Sequence, residues 1–227
     1  YFISHIADKV ILPDKSQVKE FLPPYKAPHP LSTTCPVSHG PQIRPDQGAP
    51  MDAQRAATFL EVPKVIEEAV ADFNRIFGRT YDPYLEKYKM EDAEVAFFIQ
   101  GAHANTCKSA INKLRSQGLK AGMVRPRWTR PWPTQQIAEA LSRVKAVACV
   151  ETSTSYGGAM RGGNLIHEVR ASLYDLENRP PVTSFMAGLG GDVILLEDFY
   201  YMAKILTQMV KEKKVRQHVY WIGFEGE

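Results

Sequence analysis

Short apolar runs alternate with amphipathic helical patterns over residues 93–210, and this alternation most constrains the fold of the chain. Four runs are apolar enough to be buried strands, and they cover Ala93–Ile99, Lys120–Val124, Ala146–Val150 and Val182–Met186. The segments between and after them carry apolar residues on one helical stripe, namely Ala110, Ile111 and Leu114; Ile137, Leu141 and Val144; Leu165, Ile166, Val169 and Leu173; and Phe199, Met202, Ala203, Leu206, Met209 and Val210. This order predicts an α/β fold with a parallel, doubly wound sheet covered by helices.

Residues 125–133 form a loop in which three arginines, two tryptophans and three prolines follow the second predicted strand. Proline restricts its own backbone and that of the preceding residue, so we expect a stiff, extended loop. Arg and Trp are frequent at the energetic centres of protein interfaces. The sequence therefore predicts interface residues at Arg125, Arg127, Trp128, Arg130 and Trp132. The alternative is a proline-rich turn whose indoles cap the core.

The front third of the chain lacks this regularity. Leu22–Pro50 is rich in proline and predicts an ordered-coil connector lying against a partner or a second domain, or else a disordered linker. Tyr1–Ile3 and Val10–Leu12 resemble strand pieces without a covering helix. Because no Met precedes Tyr1, we expect the chain to be the rear part of a longer polypeptide. An amphipathic helix from Val62 to Phe77 follows, closed by Gly78.

Composition limits the function classes. The chain has 227 residues, 44% of them hydrophobic, and no apolar run of transmembrane length. Its net charge of +3 is too small to indicate nucleic-acid binding, so we expect partners other than nucleic acid or membrane. Three cysteines, Cys35, Cys107 and Cys149, are an odd number and fit reduced thiols in a cytoplasmic protein.

Several patterns look like sites but are incomplete. Cys35 with His39, and His103 with Cys107, have the spacing of metal ligands but lack further ligands. The glycines of residues 188–191 resemble part of a phosphate-binding loop without its full spacing, and a tight turn explains them. The glycine-rich residues 155–163 fit either a flexible connection or a close approach to a ligand or a neighbouring backbone. His5 has no visible acid partner for a catalytic triad. We therefore expect no catalytic, cofactor-binding or metal-binding residue.

A set of motifs, in order along the whole chain, resembles the later part of the α subunit of 2-oxoacid:ferredoxin oxidoreductases. They are Ser4-His5, the segment 20–26, Gly40-Pro41-Gln42-Ile43, the segment 76–84, Arg130-Pro131-Trp132-Pro133 and Gly188-Leu189-Gly190-Gly191. Residues 100–103, 170–175 and 220–225 make the chain most similar to the oxalate oxidoreductase branch. Two places depart from the family pattern. Trp132 stands where the wider family more often has Phe, and Glu151-Thr152 stands where an Asp-led pair is common.

The resemblance implies an enzyme complex that oxidatively cleaves oxalate or a 2-oxoacid such as pyruvate, releases carbon dioxide and reduces ferredoxin. It implies thiamine diphosphate, magnesium and 4Fe–4S clusters in the whole complex, held by other domains or subunits, and none bound by this chain alone. Its partners would be the other subunits and, through them, ferredoxin. The sheet domain would resemble the transketolase C-terminal domain and serve as a scaffold that is inactive by itself.

We therefore divide the chain into the end of a pyrimidine-binding-type domain (1–21), a proline-rich connector (22–58), a linking helix and segment (59–90) and the transketolase C-terminal-like domain (91–227). The main hypothesis is a scaffold and subunit-interface part of the oxidoreductase complex. The alternative hypothesis is an independent nucleotide- or small-ligand-binding α/β domain that uses the two glycine-rich loops.

Overall fold

The chain divides into two compact units. A computed structural model describes residues 10–40, 42–159 and 161–224. One unit comprises the described residues from 10 to 83, and the other comprises those from 84 to 224. The predicted strand piece Tyr1–Ile3 lies outside the described residues.

The first unit is helical. It contains α1 (Lys15–Phe21) and the 33-residue helix α2 (Pro45–Phe77). Gln17 joins them, because its side-chain amide donates to the carbonyl oxygen of Ile76 at 2.8 Å. The rings of Phe21 and Phe73 meet edge to face, with centroids 5.4 Å apart. As predicted, α2 ends at Gly78, which has a left-handed φ of 61° that glycine adopts without strain.

Two predictions for the front of the chain are wrong. Val10–Leu12 forms no strand, and these residues are exposed and pair with no strand among the residues that the structure describes. The coil predicted for residues 22–50 ends at Arg44, because residues 45–50 already belong to α2. Pro45 occupies the first helical position, where no backbone N–H is needed, and the following residues are rich in alanine. The helix therefore continues through Pro50 and Pro63, each of which removes one helical hydrogen bond.

The second unit is a six-stranded sheet with helices between its strands. The predicted parallel, doubly wound α/β fold is confirmed, with spatial strand order β1-β3-β2-β4-β5-β6 and all neighbours parallel except β1 with β3. The elements in chain order are β1 (Leu85–Tyr88), β2 (Val95–Ile99), α3 (Ala104–Ser116), β3 (Ala121–Pro126), α4 (Thr134–Leu141), β4 (Ala146–Glu151), α5 (Leu165–Leu173), β5 (Val182–Met186), α6 (Leu196–Glu212) and β6 (Val219–Trp221).

Each face of the sheet is covered by its own hydrophobic cluster. Alternate residues of a strand point to opposite faces, so Phe97 lies in the cluster with α3 and α6, whereas Phe98 lies in the cluster with α4 and α5. The strands β2, β4 and β5 are buried at every position, as expected for strands covered on both faces. This core fixes the positions of the loops at the carboxyl ends of the strands.

Candidate functional site

The candidate site is a cleft at the carboxyl ends of β2 and β4. In the sheet, β3 lies on one side of β2 and β4 lies on the other. The loops that follow β2 and β4 therefore run to opposite sides from this point. Open α/β sheets commonly bind ligands at such a point. The cleft has a volume of about 220 Å³ and is lined by Gln100, Thr129, Arg130, Trp132, Val150, Glu151, Thr152, Ser153, Asn164, Leu165 and Glu168.

The arginine- and tryptophan-rich loop connects β3 to α4 and forms one wall of the cleft. Trp132 contacts the cluster beneath α4 and α5, and its indole N–H donates to the Ser172 hydroxyl at 2.8 Å. Arg130 pairs with Glu168 at 2.5 Å, although 62% of its side chain remains exposed. The Arg130–Pro131 peptide bond is cis. Trp132 therefore behaves as the alternative interpretation expects, as an indole that caps the core.

The predicted loop begins later than expected, because β3 extends to Pro126, and Arg125 is a strand residue while Arg127 and Trp128 begin the loop. Arg125 is mostly buried and pairs with Glu86 of β1 at 2.5 Å, and Lys108 also pairs with Glu86. The ring centroid of Trp128 lies 5.4 Å from that of Tyr84. Arg127 is exposed, and its backbone N–H donates to the carbonyl of Tyr84 at 2.9 Å. The loop is thus braced within its own unit, and the contact of these five residues with another subunit stays a prediction.

Glu151 is the charged group most deeply set in the cleft. It is only 4% exposed. Its Oε2 accepts a hydrogen bond from the backbone N–H of Leu165 at 2.7 Å, and its Oε1 accepts from Ile166 at 3.3 Å and from the Ser184 hydroxyl at 2.9 Å. Burial raises the pKa of this carboxyl group, and these hydrogen bonds oppose the rise. The Glu151 carboxylate at the end of β4 therefore caps the first turn of α5, the kind of position that accepts anions.

Gly163 permits this arrangement. A Cβ atom on Gly163 would overlap the Glu151 carboxylate and lie 2.5 Å from the carbonyl oxygen of Ser153. The close approach considered for residues 155–163 is therefore an approach to the chain's own carboxylate. The capping role of Glu151 was not predicted from the sequence. The available signal was a carboxylate directly after a buried apolar run and before a glycine-rich loop and helix.

The thiols and imidazoles do not assemble a metal site in the described part of the chain, where no three His, Cys, Asp or Glu side chains are suitably grouped. Cys107 and Cys149 lie in different clusters on opposite faces of the sheet, whereas Cys35 is exposed in the other unit. Burial raises the pKa of both the Cys107 and Cys149 thiols and so disfavours the thiolates that iron and zinc require. These residues do not fit an iron–sulfur cluster.

The second glycine-rich segment forms a tight turn. Gly188 and Gly190 have φ values of 69° and 67°, and the turn leads into α6. The Asp198 carboxylate accepts from the backbone N–H of Leu195 at 2.7 Å and so caps α6 from within the chain. Within the described ranges, no helix combines the length and apolarity needed to span a bilayer.

These features define a doubly wound α/β domain in which α5 and α6 each begin at a carboxylate of the chain itself. Residues 93–199 of the chain match the family described as "Pyruvate:ferredoxin oxidoreductase core domain II". The predicted family resemblance is confirmed.

Two curated relatives come from Pyrococcus abyssi. The pyruvate synthase subunit PorA is 30% identical over 100% of this chain and 57% of its own length. The ketoisovalerate oxidoreductase subunit VorA is 30% identical over 97% of this chain and 55% of its own length. The chain thus spans about half the length of these relatives. A solved 2-oxoglutarate:ferredoxin oxidoreductase from Magnetococcus marinus is 18% identical over 72% of this chain and 24% of its own, with a TM-score of 0.43.

Proposed function

We propose that this chain is a scaffold and subunit-interface part of a 2-oxoacid:ferredoxin oxidoreductase complex. The match of residues 93–199 to a core domain of that family carries the proposal. The complex would oxidatively cleave pyruvate, another 2-oxoacid or oxalate, release carbon dioxide and reduce ferredoxin. The similarity to both PorA and VorA supports a 2-oxoacid as substrate, whereas the oxalate branch rests on the sequence motifs of residues 100–103, 170–175 and 220–225.

The geometry of the cleft supports a structural role for this chain and argues against a catalytic one. The oxygens of Glu151 accept three hydrogen bonds from the chain, so this carboxylate is held as a structural cap and is poorly placed to act as a base. Arg130 is paired with Glu168, and burial raises the pKa of the Cys107 and Cys149 thiols, which disfavours the nucleophilic thiolate. Thiamine diphosphate, magnesium and 4Fe–4S clusters, which supply carbanion and electron-transfer chemistry when bound, would be held by other parts of the complex.

The same cleft argues against the alternative of an independent nucleotide-binding domain. A phosphate at the first turn of α5 would displace or face the Glu151 carboxylate, and Glu168 adds a second negative charge to the cleft. The first turn of α6 is likewise capped by Asp198. We therefore expect neither ATP nor NAD to give a binding heat with the chain in isothermal calorimetry. Saturable binding that Glu151→Gln strengthened would favour the alternative.

The function is tested on the native complex purified through a tag on this chain. Reduction of a viologen dye is measured with pyruvate, 2-ketoisovalerate and oxalate, each with and without coenzyme A, and the isolated chain is the matched control. We expect the complex to reduce the dye with at least one substrate and the isolated chain to show no turnover. Recovery of the chain without oxidoreductase subunits and without turnover would contradict the proposal.

A further inference from the structure

A groove separate from the cleft lies beside β6, at the edge of the sheet. We call it the β6 groove, and it is formed where β6 and the residues after it face the start of α6. Its volume is about 980 Å³. Tyr201, Trp221 and Phe224 contribute aromatic walls, and Asp192 and Asp198 contribute carboxylates. All of these residues belong to the α/β unit.

The aromatic walls of the β6 groove are unusually exposed for their size. Trp221 is 48% exposed, Tyr201 50% and Phe224 74%. Val193 and Leu195, near the start of α6, are also about half exposed. Large apolar side chains gathered at one surface are typical of a protein-binding site. By contrast, Tyr220 of the same strand stacks on Phe185 and belongs to the core, so it holds the groove in place.

The backbone beside these rings can pair with an added strand. Within the described ranges, β6 pairs with β5 and has no strand on its other side. An edge strand presents outward N–H and C=O groups, which an extended segment of another chain can satisfy. In β6 the Val219 carbonyl already accepts from the Gln217 side-chain amide, so the added strand would pair at Trp221 and beyond. The groove therefore fits an extended peptide better than a helix.

The charge of the β6 groove selects the side chains of that peptide. Asp192 is held by the backbone N–H of Val193 at 2.8 Å, and Asp198 by that of Leu195 at 2.7 Å, so both carboxylates have fixed positions. No Lys, Arg or His is found among the described residues that line the groove. Cations bind favourably between carboxylates and aromatic faces. The complementary ligand is a segment that carries Arg or Lys between apolar residues.

We propose that the β6 groove docks an extended, basic segment of a partner subunit, with one Arg or Lys side chain lying between the aromatic rings and the two aspartates. This inference rests on the proposed function, because the partner subunit belongs to the oxidoreductase complex. The β6 groove would be a second contact surface, distinct from the arginine- and tryptophan-rich loop.

Photo-cross-linking in the purified complex tests the occupant directly. Benzoylphenylalanine replaces Tyr201 or Trp221, and the captured peptide is sequenced by mass spectrometry. The same probe at Tyr156, which is 92% exposed outside the groove, is the matched control. We expect the two groove probes, and not the control, to capture one partner-subunit peptide that contains Arg or Lys. Capture of a second copy of this chain, of the chain itself, or of nothing would overturn the proposal.

A charge variant tests the chemistry. The double variant Asp192→Asn/Asp198→Asn keeps the oxygen atoms that cap Val193 and Leu195 but removes both charges. We expect roughly tenfold weaker association with the partner subunit, and a smaller loss of affinity when salt is added, because the charge attraction is gone. The control Asp175→Asn removes an exposed charge elsewhere and should leave the affinity unchanged. Circular dichroism checks that each variant is folded.

The outcomes separate the two proposals. If the wild-type complex assembles and turns over but the double variant associates equally well, the β6 groove proposal is wrong and the proposed function stands. If the wild-type chain associates with no oxidoreductase subunit, the proposed function itself is wrong.

Discussion

The two units of the chain differ in how many of their residues are buried. In the α/β unit, β2, β4 and β5 are buried at every position and each sheet face carries its own cluster. In the helical unit, neither α1 nor the 33-residue α2 has a buried residue, and Leu60 is 80% exposed. Hydrophobic burial supplies most of the favourable free energy of folding. The α/β unit therefore has a hydrophobic core of its own, whereas α1 and α2 bury no residue, and we expect the helical unit to be the less stable of the two.

The largest expected contrast comes from removing one phenylalanine from each unit. Phe97 is fully buried beside Phe199, so Phe97→Ala should lower the free energy of unfolding by about 3–5 kcal/mol. Phe59 on α2 is 42% exposed, so Phe59→Ala should change the free energy of unfolding by about 0.5 kcal/mol or less. Urea denaturation followed by circular dichroism measures both. Equal losses would show that the helical unit has a core of its own.

Glycine substitutions should have opposite signs in the two units. Gly163→Ala places a methyl group against Glu151 and should destabilise the chain by about 1–3 kcal/mol. Gly48→Ala lies in α2 with open space around it and should stabilise that helix by about 0.5–1 kcal/mol, because alanine is the better helix former. Thermal unfolding measures the two shifts. A neutral Gly163→Ala would mean that Glu151 does not cap α5 as described.

Two carboxyl groups of the α/β unit should respond to pH in opposite directions. Burial tends to raise the pKa of Glu86, but the hydrogen bond from Lys108 and the charges of Arg125, Lys108 and Arg127 outweigh it, so the pKa lies below its usual value of 4.5. The stability that Glu86 contributes is present above pH 4.5 and is lost as pH falls through the lowered pKa. Glu86→Gln should therefore destabilise the chain at neutral pH and flatten the acid limb of its stability curve.

Glu151 is the internal comparison for this test. The pKa of Glu151 is raised in the folded chain. The stability that Glu151 contributes is therefore present below pH 4.5 and is lost as pH rises through that raised pKa. Glu151→Gln should remove that decline above pH 4.5. Unfolding free energies from urea titrations between pH 3 and pH 8 measure both variants. The same pH slope in both would contradict the assigned surroundings of the two groups.

The smallest expected difference between the units concerns two side-chain hydroxyl groups. The Ser172 hydroxyl donates to the carbonyl of Glu168, and the Thr58 hydroxyl donates to the carbonyl of Gln54. Ser172 also accepts from the Trp132 indole, so Ser172→Ala should cost about 1 kcal/mol of stability. Thr58→Ala on exposed α2 should be neutral or slightly stabilising. Differential scanning fluorimetry compares them. An unaffected Ser172→Ala would leave Trp132 available as an interface residue.

Hydrophobic periodicity was enough to predict the central strands and the helices of the α/β unit, because these elements are buried and therefore strongly patterned. The edge strands β1 and β6 were missed. β1 has a single buried residue, Leu85, and includes Glu86 and Lys87, and β6 has only three residues. Both are defined by pairing with a neighbouring strand, which the local sequence does not encode.

The front of the chain and the cleft show the same limit. Proline content suggested coil where α2 begins, although proline at the first helical turn is compatible with a helix. The arginine- and tryptophan-rich loop was predicted as a loop from its prolines, but its partners Glu86, Glu168 and Ser172 come from distant parts of the sequence. The role of Glu151 depends on the crossing from β4 to α5 and could not be derived from spacing alone.

Hydrogen–deuterium exchange tests the contrast between the two units most directly. Exchange is measured by mass spectrometry on the isolated chain and on the chain in the purified complex. The account predicts slow exchange of β2 and β4 in both samples, and fast exchange of α2 in the isolated chain that slows in the complex. Protection of α2 in the isolated chain equal to that of β4, with no change in the complex, would contradict it.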